Sequence, residues 1–143
     1  METTNLRNKL VEIALEWEKI FSVAPSITST ISEFDAAMLV GHSCESYTRD
    51  CMKRTAVTKG VDFSFNNQRY QIKANRPSGK PGSKVTLVAK AKNYDWDFLI
   101  WILYDKFYNK EEAWMWHVED YKKRFADISR MSPKDMRLGT PLL

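Results

Sequence analysis

The stretch GVDFSFNNQRYQIK, residues 60–73, decides how the rest of the chain is organised. Val61, Phe63 and Phe65 alternate with Asp62 and Ser64, and Tyr70 and Ile72 alternate with Arg69, Gln71 and Lys73, the period of half-buried strands. Asn66-Asn67 separates the two runs, and asparagine tolerates the positive φ angles that a two-residue hairpin turn requires. Counting outward from that turn pairs 65 with 68, 63 with 70 and 62 with 71. Asp62 then stands across from Gln71, and Lys73 shares the face of Gln71 two residues on. The opposite face carries Val61, Phe63, Phe65, Tyr70 and Ile72 for a core, and a one-residue slip would destroy the separation. Alternation alone favours an ordinary hairpin that shows its polar side to water.

On the N-terminal side, Leu6, Leu10, Ile13, Trp17 and Phe21 recur at three- and four-residue steps, which predicts a helix over 5–22 with that face in the core. Pro25 closes it. SITSTIS, residues 26–32, offers Ser and Thr N-caps for a second helix through ISEFDAAMLVG that stops at Gly41, and 42–53 reads as a third. On the C-terminal side, KVTLVAK at 84–90 reads as a strand or the start of a covering helix, with strand preferred. FLIWILY at 98–104 is a continuous apolar run of the kind found at a sheet centre, and EAWMWHV at 112–118 alternates. Val118, Tyr121, Phe125 and Ile128 predict a last amphipathic helix, and Ser132-Pro133 a terminal turn. Helices, then four to five strands, then a helix predict an α+β (α/β-like) fold, as a single domain over 1–143.

The 143 residues are 43% hydrophobic and 13% aromatic, a composition that excludes a disordered chain. No apolar run approaches the ~18 residues of a membrane helix. Cys44 and Cys51 lie seven apart, a spacing that matches helix packing better than a metal knuckle or disulfide framework, so a cytoplasmic, reducing setting is expected. Net charge is +4, and the bases gather in the middle of the chain at Arg49, Lys53, Arg54, Lys59, Arg69, Lys73, Arg76, Lys80, Lys84, Lys90 and Lys92. That placement favours an acidic partner such as nucleic acid.

GVDF followed by YQIK, an Asp on one strand and a (Glu/Gln)-x-Lys on the next, resembles the signature of the PD-(D/E)XK nuclease-like superfamily, the fold of many restriction endonucleases. The resemblance implies a restriction-endonuclease-like core with a central mixed sheet, and a metal-dependent endonuclease that hydrolyses phosphodiester bonds in DNA, often as a homodimer. It implies Asp62 and Gln71 as ligands of Mg²⁺ (or Mn²⁺) and Lys73 as the residue that orients or activates the attacking water. Two positions depart from the pattern: Val61 stands where Pro is usual, and Gln71 replaces a Glu, so the site loses a negative charge. Such families often add a Glu from the preceding helix, for which Glu33 is the first candidate and Glu45 the second; a solvated or helix-end charge is the plain alternative for Glu33.

The stretch NRPSGKPGSK at 75–84 then offers Arg76, Lys80 and Lys84 as phosphate partners, against the alternative of a connecting loop whose bases face water. His42 and His117 read as structural, and Trp96, Trp101, Trp114 and Trp116 as core. Two other functions fit the same residues: a nucleic-acid-binding domain without catalysis, or a protein-interaction domain.

Overall fold

Asn66 and Asn67 both adopt positive φ, 51° and 63°, so the chain reverses in a two-residue turn whose twist matches that of the flanking strands. Phe63 pairs with Tyr70, Ser64 with Arg69 and Phe65 with Gln68, the register counted from the sequence. The computed structural model describes residues 3–54 and 60–143; Lys59 lies outside them. Three helices come first, α1 (Thr3–Phe21), α2 (Thr28–Leu39) and α3 (Cys44–Lys53), followed by the hairpin β1 (Phe63–Phe65) and β2 (Gln68–Asn75). Then come β3 (Phe98–Tyr104), β4 (Lys110–His117), α4 (Val118–Phe125), the short α5 (Pro133–Met136) and β5 (Thr140–Pro141).

The strands form one five-stranded sheet in chain order, antiparallel except where β2 runs parallel to β3, so the fold is α+β with a mixed sheet. β3 is apolar on both faces, and Leu99, Ile100, Trp101 and Ile102 are all at most 1% exposed. Two cores therefore flank it. One packs Phe63, Tyr70, Ile72, Ile100, Ile102 and Tyr104 against Val11 of α1 and Ile31, Ala36 and Ala37 of α2. The other packs Leu99, Trp101 and Trp116 against Val88, Trp96, Tyr121, Phe125 and Met136. A buried carboxylate ties the first core together: Asp35 of α2 accepts from Arg7 Nε and Nη2 at 3.0 and 2.8 Å and from the Tyr104 hydroxyl at 2.6 Å.

Several expectations are corrected. In α1 the buried residues are Val11 and Ala14; of the predicted core face Leu10 packs partly on the core, while Leu6, Ile13, Trp17 and Phe21 are each more than half exposed. The small side of the helix lies against the first core, and the same helix sends Arg7 to Asp35. Residues 84–90 form no strand. β2 and β3 are parallel neighbours, which demands a long crossover, and 76–97 is that crossover; it makes one bridge, Val88 to Met131, and lays Val88 over the second core. The fifth strand is instead β5, paired with β4. Ile27, not a Ser or Thr, precedes α2, with no side-chain cap. Cys51 is exposed rather than packed. Among the described residues no helix is long and apolar enough to cross a membrane.

The hairpin turn yields a test. Asn67→Gly should stabilise the fold by a few tenths of a kcal/mol, and Asn67→Val, a β-branched residue forced to positive φ, should destabilise it by about 1–2 kcal/mol in urea unfolding.

Candidate functional site

β1 spans three residues and β2 eight, so β2 from Gln71 onward outruns its partner and becomes a sheet edge. Asp62 occupies the point where β1 leaves. Its N–H donates to the Tyr70 carbonyl at 2.8 Å, and its Oδ2 accepts from the Ile72 N–H at 2.7 Å and from Gln71 Nε2 at 2.8 Å. A carboxylate thus takes the place of the missing ladder partner. α2 crosses the same edge, because Ile31, Ala36 and Ala37 pack on Ile72 and its core neighbours, and this brings its first turns over Asp62.

The result is a polar cleft of about 270 Å³ lined by Asp62, Gln71 and Lys73 from the hairpin and by Thr28, Ser29, Ser32 and Glu33 from α2. Four residues singled out from the sequence, Asp62, Gln71, Lys73 and Glu33, therefore converge. Glu33 is no freely solvated helix charge: burial, and then the negative charge of Asp62, push its carboxyl up to about 7, against the opposing pull of Arg54. Burial also raises the Asp62 carboxyl, opposed by the Ile72 N–H, Lys73 and Arg54. Two crowded acids of this kind are relieved by a proton or by a cation.

Their oxygens and the side-chain oxygen of Gln71 are hard donors of the kind Mg²⁺ and Mn²⁺ accept, and Mg²⁺ is often held by only one or two carboxylates. The residues present fit one such hydrated ion. Among the described residues no group of three or more His, Cys, Asp or Glu side chains is placed to hold a metal. Glu45 is exposed in the first turn of α3 and does not line the cleft.

The predicted phosphate grip lies elsewhere. Arg76 forms a bidentate pair with Glu18 at 2.9 and 3.0 Å, donates to the Lys106 carbonyl and stacks on Tyr108, with its side chain only 7% exposed. It is a strut between α1 and the crossover. Lys80 is exposed on the Glu18 side, and Lys84 lines a separate groove with Glu111, Lys134 and Arg137. Lys73 is the one cation that lines the cleft itself among the described residues. His42 is buried between Ser46 Oγ and the Ser64 carbonyl, both at 2.7 Å, and His117 caps α4 by accepting from the Glu119 N–H.

Sequence reasoning missed Arg54, which donates to the Asp62 carbonyl and lies 3.5 Å from Glu33 Oε1, so it braces both acids from outside the cleft. It also missed the hydroxyls. Ser29 and Ser32, with Thr28, sit one turn apart beside Glu33, a spacing visible in SITSTISE but read as capping. The chain matches no family model, and no curated protein matches it.

The raised carboxyl predicts a pH dependence. Between 4.5 and about 7 the folded chain keeps a proton that the unfolded chain has released, so Glu33 costs stability progressively as pH rises, fully so above about 7. Glu33→Gln should leave stability unchanged near pH 4 and raise it on the order of 2 kcal/mol at pH 8, read from chemical denaturation at both pH values.

Proposed function

We propose that the chain is a metal-dependent endonuclease that hydrolyses phosphodiester bonds in DNA, built on the restriction-endonuclease-like arrangement its hairpin resembles. The observation that carries this reading is the meeting of Asp62, Gln71 and Lys73 with Glu33 in one cleft, when Glu33 lies 29 positions before Asp62 and on a different element. Asp62 and Glu33, with the Gln71 side-chain oxygen, would hold Mg²⁺ or Mn²⁺. When bound, that ion supplies Lewis-acid polarisation of a phosphate oxygen.

The chain's own groups do the rest. Lys73 brings positive charge to the cleft and can orient a water toward phosphorus while offsetting charge that builds on the non-bridging oxygens. Ser29 offers a hydroxyl, while those of Thr28 and Ser32 are engaged by the Tyr108 hydroxyl and the Ser29 carbonyl, and the first turn of α2 has a dipole that favours an anion at that end. Glu33, held near neutrality without the ion, must lose its proton before it can serve as a ligand, so activity should rise with pH, with a midpoint below about 7 that moves lower as Mg²⁺ is raised.

A second reading rests on one bond. Gln71 Nε2 donates to Asp62 Oδ2 at 2.8 Å, so the amide already satisfies an oxygen that a metal ligand would offer. A domain that binds nucleic acid without cutting it would keep that bond.

Cleavage of linear and supercoiled DNA with Mg²⁺ and with Mn²⁺ separates the two. The nuclease reading expects Lys73→Ala and Asp62→Asn, the latter still able to accept from the Ile72 N–H, to lose on the order of a hundredfold or more in rate. Salt-sensitive DNA binding with no turnover in either metal would favour the second reading, and cleavage unchanged in both variants would remove the site.

A further inference from the structure

α1 carries a regularly spaced apolar stripe that is exposed except at Leu10, which packs partly on the first core. Leu6, Leu10, Ile13, Trp17 and Ile20 follow steps of four, three, four and three, the repeat of a two-helix seam. Ile13 is 62% exposed, Trp17 51% and Ile20 63%, with Phe21 at 57% and Leu6 at 54%. The Trp17 and Phe21 rings lie against each other, centroids 4.7 Å apart and planes tilted by 51°. Leu6, Ile13, Trp17, Ile20 and Phe21 thus form a contiguous exposed stripe, unlike the singly scattered apolar groups of an ordinary surface.

We propose that this face is covered by the same face of a second copy, with the two α1 helices antiparallel across a two-fold axis. Charge decides the direction. In an antiparallel pair the residues that flank the seam on one side meet their own kind, and here they are Lys9 and Glu16, both exposed. Layering Leu10 on Ile13 and Leu6 on Trp17 of the other copy sets Lys9 opposite Glu16, twice by symmetry. A parallel pair would instead bring Lys9 and Glu16 to the other flank, which holds Arg7, Ala14 and Phe21 and has no free partner for them, since Arg7 is engaged by Asp35.

The area also suffices. Six side chains about half exposed, Leu6, Ile13, Trp17, Ile20, Phe21 and Val23, offer on the order of 600 Å² per copy and about 1,200 Å² in all, the lower end of stable interfaces. The stripe shares no residue with the Asp62 cleft, so dimer formation and nuclease activity stand or fall separately.

The test is the mass in solution across a concentration series, by light scattering or sedimentation, with circular dichroism to confirm folding. The wild-type chain should approach twice 16.7 kDa with a dissociation constant in the micromolar range. Ile13→Asp should be a folded monomer. Lys9→Glu and Glu16→Lys alone should each weaken the dimer roughly tenfold, and the double exchange should restore it. A monomeric wild type at high concentration, an unchanged dimer in Ile13→Asp, or a double exchange no better than the single ones would overturn the proposal.

Discussion

β3 has no polar face. Its complete burial obliges both sides of the sheet to be roofed, and the arrangement of every other element follows from how the chain does this. The three N-terminal helices supply one roof through α1 and α2; the crossover, α4 and α5 supply the other. Because β1 pairs only with the first residues of β2, the far end of β2 is left as an edge, and because α2 roofs Ile72 and Ile100, its first turns overhang that edge. The cleft is the space between the two.

Electrostatics within the cleft follows from the same geometry. The edge of β2 needs acceptors, and Asp62 provides one with its carboxylate, which fixes that carboxylate in a half-buried place beside Glu33. Neither acid is paired well: Arg54 stands 3.5 Å from Glu33 and donates to the backbone of Asp62 rather than to its side chain. Where Asp35 has Arg7 and Tyr104 to satisfy it, Glu33 has burial and a like charge for neighbours. That contrast between two acids of one helix separates a fully satisfied structural carboxylate from one with a raised carboxyl and a single long ion pair.

Much of this was legible in the residues. The hairpin register came from the alternation and the two asparagines, because a two-residue turn leaves one register only, and the central strand came from seven unbroken apolar residues at 98–104. The meeting of Asp62, Gln71 and Lys73 followed by counting. What failed has a common cause. Hydrophobic spacing locates an amphipathic face but cannot say which solid body covers it, so the larger stripe of α1 was assigned to the core when the small side around Val11 is what packs there. The strand-like look of 84–90 could not reveal that the position beside β2 goes to β3, and the bases of 76–84 gave no sign that Arg76 would be spent on Glu18, residues 58 apart in sequence.

The central claim is that Glu33 and Asp62 form one charge-starved site that takes a divalent cation. Carboxyl-carbon NMR titration of Glu33, with and without Mg²⁺ and in the Asp62→Asn variant, measures it directly. In the absence of the ion Glu33 should titrate near 7, move down when Asp62 loses its charge, and move down further when Mg²⁺ is added to the unaltered chain. A Glu33 that titrates like an ordinary surface glutamate, or one indifferent to both Mg²⁺ and Asp62, would contradict it.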